Sequence, residues 1–561
     1  MKFSNAALAL LVSAIALPSG AASDSVQYEA RKQHPATWTP TSAPHPSASI
    51  TLSFFLKHDA SDVANLEAEF LSRSDPSSST FGHWLSNDEV HAMLPPSPDS
   101  VSAVVSALES LGVTTDAIKH STVNSDIITA TVPVRTAEKL LSAKYQMYEH
   151  SVSGNTVPRT LEYSLPASLA EHVALVGPTT RFPKPSSTMK EVGASLRGGY
   201  NTPDNLRALY SVNDVLGGTA STNNQAVTAF LSQYYSESDL DKFFETQFPA
   251  GASTPIKLVG DATDGGRAGV ESMLDIEYMP AMGALNPTEF WGFSGSSPQD
   301  DADEPFLAWL TQVSSTPDGE IPLVFSTSYG EDETAEVPSD YADRVNTEFM
   351  KAGLRGISIL FASGDSGAAS DSGTCPNDRF CPMWPAGSPY VTAVGGTEGG
   401  KMPESAWSGS SGGFSDVFAA PDWQKDVTAA YAANTDPSMP PASYFNATGR
   451  GFPDISAQAV QYPVVVNGRT TPVAGTSCAT PCASGVFGLL NDARLAAGKG
   501  SLGFLNQILY ANPDALNDVT EGVQGGCGRQ SGFPALEGWD AVTGLGSPNY
   551  EKLLDVVMAL P

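Results

Sequence analysis

ISILFASGD, residues 357–365, is an apolar run of strand length that ends on small and acidic residues. The same texture recurs upstream as AVTAFL at 226–231, TEFWGFS at 288–294 and PLVFSTSYG at 322–330, with VESMLDIEYM at 270–279 and FLAWLTQVSS at 306–315 between them. Strand-like runs alternating with helical segments predict an α/β domain: a largely parallel sheet with helices on both faces. Sites in such domains lie at the carboxyl ends of the strands.

Ahead of this region the pattern is different. Residues 49–56, 127–134 and 145–149 read as strands, and 61–73, 99–111 and 136–143 as helices, a small α+β unit. Residues 181–203 (RFPKPSSTMKEVGASLRGGYNTP) have no periodicity and read as a linker open to proteolysis. Residues 1–22 combine Lys2, an apolar run from Ala6 to Leu17 and small residues at 19–22, a secretory signal too short to span a bilayer. The expected division is therefore a signal peptide at 1–22, a first domain at 23–180, a linker at 181–203 and the α/β domain at 204–561. The exported chain is expected to be extracellular, with no membrane span.

The chain has 561 residues and a formal net charge of −31, a field that repels phosphate backbones and argues against nucleic acid as a partner. Residues 196–561 hold 17 basic and 43 acidic groups, which suits work in acid. All eight histidines precede residue 173. A site built in the last 389 residues must therefore do its acid and base chemistry with carboxylates, Lys, Tyr or thiols. Five cysteines allow at most two disulfides: Cys375 with Cys381, or either of them with Cys527, while Cys478 and Cys482 read as buried helical thiols. Asn446-Ala447-Thr448 is the sole glycosylation sequon.

Three segments offer a nucleophilic serine. Gly364-Asp365-Ser366-Gly367 and Gly409-Ser410-Ser411-Gly412-Gly413 imitate known serine contexts, but both contexts need a base histidine that this domain lacks. Gly475-Thr476-Ser477-Cys478-Ala479-Thr480-Pro481 opens an apolar helical run, and a helix N-terminus can stabilise an oxyanion. A plain serine N-cap is the competing reading. A base for Ser477 is available in the 270–279 helix, where Glu271 and Asp275 share one face and Glu277 lies on another, expected to be exposed. At pH 4 an imidazole of pKa ~6.5 is neutral in only ~0.3% of molecules, whereas an ordinary glutamate is about one-third ionised, so acid proteolysis favours Glu271 as base.

The serine motif, the E-x-x-x-D helix, the S-G-D-S-G turn, SSGGFS at 410–415, RGFPDISA at 450–457, and NDVT with GWDAVTGLGSPN near the end stand in the order found in the sedolisins. The chain resembles these serine-carboxyl peptidases of family S53 over nearly its whole length, in particular secreted fungal members of the tripeptidyl-peptidase I type. The resemblance implies a subtilisin-like domain with Ser477 as nucleophile, Glu271 as general acid and base, Asp275 as its modulator and Asp365 in the oxyanion hole. It implies one structural Ca²⁺ held by the side chains of Asp518 and Asp540 and the carbonyls of Val519, Leu536 and Gly538, hard oxygen donors suited to that ion. Leucine at 536 departs from the glycine common in relatives. It further implies that residues 23–180 are a ferredoxin-like prodomain, foldase and inhibitor of a zymogen that acts as a monomer on protein or peptide substrates.

Two other readings are kept. One is an acid endopeptidase of the same family. The other is a catalytically inactive, calcium-stabilised extracellular binding protein.

Overall fold

The computed structural model describes residues 25–34, 38–151, 156–182, 190–191, 201–230, 233–249, 255–293, 305–333, 337, 339–370 and 373–561. The expected signal peptide and most of the expected linker lie outside the described residues.

In the N-terminal unit the main elements in chain order are β1 (Ser49–Leu56), α1 (Ala60–Ser74), α2 (Pro98–Ser110), β2 (Ile118–His120), β3 (Ile127–Pro133), a helix at Val134–Leu140 and β4 (Val173–Gly177). The strands form an antiparallel sheet in the order β2-β3-β1-β4, the arrangement of a βαββαβ ferredoxin-like unit. Strand periodicity drives its packing: Ile50, Leu52 and Phe54 point to one face and bury against Val104 and Leu108 of α2. Phe55 points to the other face and enters a core shared with Trp309 and Val345 of the second domain.

The second domain is built on an eight-stranded sheet. Its parallel strands are β5 (Gln225–Phe230), β6 (Ile256–Gly260), β7 (Thr288–Phe293), β8 (Val324–Thr327), β9 (Ser358–Ala362), β10 (Thr392–Glu398) and β11 (Ile455–Gln458), in the order β6-β7-β5-β8-β9-β10-β11. Ser405–Ala406 adds an antiparallel edge to β10. Helices α3 (Val270–Met282) and α6 (Thr476–Ala496) share one core, and α4 (Pro305–Ser315) and α5 (Ser339–Leu354) build the other. The sheet is thus covered on both faces, and every residue of β5, β7, β8 and β9 is buried.

Helix α3 has no wet face. Glu277, expected to be exposed, is fully buried, and its carboxyl oxygens accept the Val465 N–H at 3.1 Å. The local sequence made Glu277 look like a solvated residue, but α3 lies between α6, α7 (Glu237–Gln247) on the surface and a β-hairpin, so even its polar side must find partners inside.

The N-terminal unit docks on α5 through a buried ion cluster. Asp126 Oδ2 is 3.1 Å from Lys351 Nζ, 3.3 Å from Arg344 Nη2 and 3.3 Å from His58 Nε2. Glu348 pairs with both Arg344 and Lys351. Trp84 Nε1 donates to Ser501 O at 3.0 Å and Tyr390 donates to Glu67 at 2.7 Å, extending the interface.

Candidate active site

The hairpin β12 (Tyr462–Val466) and β13 (Arg469–Ala474) delivers the chain to Gly475, and α6 begins at Thr476. Ser477 is therefore the second residue of the helix rather than its N-cap, in the turn whose N–H groups have no partner within the helix. The backbone of Lys190–Glu191 pairs antiparallel with Val473–Ala474, so a piece of the linker passes directly beside the nucleophile segment.

Ser477, Glu271 and Asp275 are each buried to within 2% exposure. Ser328, just past the carboxyl end of β8, donates its hydroxyl to Asp275 Oδ1 at 3.0 Å. The second Asp275 oxygen and both Glu271 oxygens make no hydrogen bond of good geometry, although the Ser477 and Ser328 hydroxyls are near enough to favour the Glu271 anion. Burial pushes Glu271 up to about 8, with the nearby Asp365 charge adding to it and the two hydroxyls opposing it. Burial, then the Glu271 charge, raises Asp275 as well, and Ser328 opposes this. Two dry carboxyls so placed share protons; the pair resists becoming a dianion. The ordinary glutamate titration assumed from sequence therefore does not describe Glu271 in the precursor.

Asp365, assigned to the site by the resemblance, stands beyond the carboxyl end of β9. Its Oδ1 accepts from Thr476 N at 2.7 Å and Thr476 Oγ1 at 3.0 Å. A Cβ on Gly475 would come within 2.7 Å of Asp365 Oδ2, so glycine is required for this approach. The four residues proposed from sequence thus meet at one place, drawn from three segments of chain. Sequence reading did not find Ser328 or Thr476, the hydroxyls that orient the two acids; Ser and Thr are too common to stand out without the fold.

The two rejected serine motifs have structural work. Ser410 Oγ donates to Val542 O at 2.9 Å and accepts from Gly396 N, and Ser411 Oγ accepts from Ser366 N at 3.1 Å. A disulfide joins Cys375 to Cys527, one of the pairings left open, and Cys381 is a free thiol. Cys478 and Cys482 are buried free thiols, as expected of the helix that carries them. The Asn446 side-chain N–H donates to Ser415 O at 2.9 Å, so the sequon is partly engaged in the fold.

The residues that the resemblance assigns to calcium lie at 518–519 and 536–540. Asp540 is fully buried and accepts from Val542 N, Thr543 N, Thr543 Oγ1 and, at 3.3 Å, Leu536 N. Burial pushes it up to about 7, opposed by hydrogen bonds from the Thr543, Val542 and Leu536 N–H groups and the Thr543 hydroxyl. Asp518 Oδ2 accepts from Gly538 N at 2.9 Å, so both carboxylates converge on the 536–540 turn. Among the described residues no cluster of three or more His, Cys, Asp or Glu exists, so an ion here would need backbone carbonyls to complete its shell. Two carboxylates on one turn are hard oxygen donors of the kind Ca²⁺ takes.

Residues 36–182 match the pro-kumamolisin activation domain, and residues 319–500 match the subtilase family. Tripeptidyl-peptidase 1 of Homo sapiens is 38% identical over 564 aligned positions, covering 96% of this chain and 97% of the human protein. The chain belongs to the sedolisin family of tripeptidyl-peptidase 1. Tripeptidyl-peptidase 1 of Mus musculus is 39% identical, covering 93% of this chain and 94% of the mouse protein. Sedolisin from Pseudomonas, solved in complex with pseudo-iodotyrostatin, superposes with a TM-score of 0.52 at 22% identity over 65% of this chain and 99% of that one, a likeness of fold. This member of the family is accordingly a serine-type peptidase with a subtilisin-like domain and an activation prodomain. No helix among the described residues is long and apolar enough to cross a membrane.

Proposed function

We propose that this sedolisin is a secreted zymogen that, after acid processing, removes tripeptides from the N-termini of proteins and peptides. The observation that carries the reading is the buried Glu271–Asp275–Ser328 group beside Ser477 in a domain without histidine, in a chain of which 96% aligns with tripeptidyl-peptidase 1 of Homo sapiens.

The chemistry follows from proton positions. The acid pair of the opened site carries one proton and one negative charge. Glu271 takes the Ser477 Oγ proton as oxygen attacks the scissile carbonyl, and Asp275, fixed by Ser328, spreads the charge. Protonated Asp365 donates to the oxygen that becomes negative, which requires its acid form and so favours low pH. Glu271 then returns the proton to the leaving amine. Water repeats the sequence on the acyl-enzyme, with Glu271 as base. Calcium, when bound at Asp518, Asp540 and the Val519, Leu536 and Gly538 carbonyls, would supply structural rigidity to the C-terminal loops rather than chemistry.

Silence before processing has two supports: the prodomain docked on α5, and the linker strand at Val473–Ala474. Mass spectrometry of products from an unblocked and an N-acetylated peptide tests the reading. Successive tripeptides from the unblocked peptide alone are expected. Internal cleavage of both would make it an endopeptidase, and no cleavage of either by processed chain would favour the inactive binding protein.

A further inference from the structure

The serine and its base reach the site by different routes. Glu271 is fixed in α3, whereas Ser477 follows the hairpin β12–β13 after Gly475, so its place depends on how that hairpin is held. The grip comes from α3 itself and from α7. Asn467 Nδ2 donates to Ala268 O at 3.2 Å, just ahead of the first turn of α3, and the Tyr278 hydroxyl donates to Pro463 O at 3.1 Å. At the tip of the hairpin Asp239 of α7 accepts from Asn467 N and Gly468 N, at 2.8 Å each, and Lys242 Nζ donates to Gly468 O at 2.8 Å.

Glu277 adds a contact in the dry middle of this set. Its two carboxyl oxygens accept the same N–H, that of Val465 on β12, at 3.1 Å each, and both residues are fully buried. Glu277 stands six residues from Glu271, about 9 Å along the helix axis. One helix thus carries the base and, through this bond, holds the strand that leads to the nucleophile.

The surroundings decide the charge of Glu277. From α7, Asp239 faces it with a charge of the same sign, and the other ionisable residues of α7, Lys242 included, are exposed. The hairpin brings Tyr462 and, at its exposed end, Arg469; α6 brings the thiols Cys478 and Cys482, with Asp492 and Arg494 at its other end. The helix Pro203–Leu209 brings Arg207, whose guanidinium is bonded to Ala281 O and Met282 O at the far end of α3, and an exposed Asp204. Glu271, Asp275 and Tyr278 share α3 with it. Burial raises the Glu277 carboxyl well above the ordinary glutamate range, the Val465 N–H opposes this, and the Asp239 charge adds to it. A dry carboxyl that accepts from one N–H and has a carboxylate for a neighbour is held as the neutral acid, with its oxygen acting as a carbonyl acceptor.

We propose that Glu277 is a positioning residue of this peptidase: its neutral carboxyl, acting through Val465 N and the β12–β13 hairpin, sets Ser477 against Glu271. The inference rests on Ser477 and Glu271 as the reacting pair and needs no contact with substrate. Ionising Glu277 puts an uncompensated charge between α3 and the hairpin. Because its folded value is raised, its hold is complete below the ordinary value of ~4.3 and is lost as pH rises from there toward the folded value, by at most about tenfold in equilibrium constant per pH unit.

The test compares acid-processed wild type, Glu277→Gln and Glu277→Leu, with wild-type precursor supplying the processing in trans where a variant cannot mature itself. The substrate is whichever peptide the wild type cuts, so exo- or endo-action does not enter. Glu277→Leu leaves the Val465 N–H unpaired in a dry site; kcat per folded molecule at acid pH should fall by about 10- to 100-fold, with KM within about twofold of wild type. Glu277→Gln keeps a carbonyl for Val465 N and cannot ionise, so it should recover most of that kcat. Each enzyme is then held at a series of rising pH values and returned to acid for assay. The wild-type inactivation rate should climb more steeply with pH than that of Glu277→Gln, by up to about tenfold more per unit, since the variant has one proton fewer to lose. Parallel pH dependence in wild type and Glu277→Gln overturns the proposal, even where Glu277→Leu fails to fold. Full kcat in folded Glu277→Leu overturns it as well. Full kcat in Glu271→Gln overturns the reacting pair itself, and this proposal with it.

Discussion

The interface on α5 predicts that acid weakens the docking of the prodomain. His58 sits against Asp126, with Arg344 and Lys351 on the same carboxylate and Glu348 between those two cations. With His58 neutral, Arg344 and Lys351 balance Asp126 and Glu348; a protonated His58 adds one uncompensated charge to a cluster whose side chains are at most 4% exposed. Burial lowers His58 foremost, the Asp126 hydrogen bond opposes this, and the Arg344 and Lys351 charges lower it further. Asp126 is no escape: despite its burial, Lys351, His58 and Arg344 hold it well below the usual carboxylate range. His91, whose ring bonds Ser314 O across the same interface at 3.1 Å, is likewise lowered, by burial and then by the Lys351 charge.

The sign follows. A histidine whose docked value is depressed favours docking fully above its free value of ~6.5, and that advantage is lost as pH falls from there toward the docked value. Each such histidine costs docking at most ~1.4 kcal/mol per pH unit in that window, so His58 and His91 together weaken it by up to ~2.7 kcal/mol, about 100-fold, over the first unit. Gel analysis of self-processing against pH provides the assay. His58→Gln with His91→Gln, neutral at every pH, should move the processing midpoint to lower pH and flatten its rise. Asp126→Asn should instead loosen docking at neutral pH, because it leaves Arg344 and Lys351 underpaired in a dry site, a change worth about 3–5 kcal/mol. An unaltered midpoint in the double-histidine variant would refute this reasoning.

Two further outcomes follow from the site. Asp365→Asn can still donate a hydrogen bond at any pH, so on a tripeptide substrate it should keep more activity than Asp365→Ala and lose less of it as pH rises; equal inactivity in two folded variants would contradict a donor role. Asp540→Ala should lower the melting temperature of the precursor and abolish its dependence on added Ca²⁺ or chelator, while a wild-type melting temperature indifferent to chelator would remove calcium from the account.

Much of this architecture was legible because the determining signals are local. Strand and helix periodicity placed β1, α1, α2, β3, β5, β7, β8 and β9 within a few residues of where they lie, while β6 was not read from the sequence. The catalytic candidates were legible for another reason: with histidine absent, the same-face carboxylates Glu271 and Asp275 offered a base for Ser477, and the resemblance to the sedolisins supplied the roles of Asp275 and Asp365. Tertiary surroundings were not legible. Glu277 looked like a solvated residue and is fully buried; Glu333 gave no signal, yet it holds Ser415 Oγ at 2.6 Å and Asp416 N at 2.7 Å, with burial pushing it up to about 7. The raised values of Glu271 and Asp275 also belong to the fold, since they come first from desolvation, which no spacing of residues along a helix reveals.

The central claim is that a carboxyl group, not an imidazole, activates Ser477. Its most direct test is kcat of processed Glu271→Gln on an unblocked tripeptide amide at acid pH, with wild-type precursor supplying the processing in trans if the variant cannot mature itself. The amide matches the carboxyl in shape but cannot accept the proton, so kcat should fall by about 10²–10⁴ in a folded enzyme. Retention of a tenth or more of wild-type kcat would mean that another group takes the serine proton.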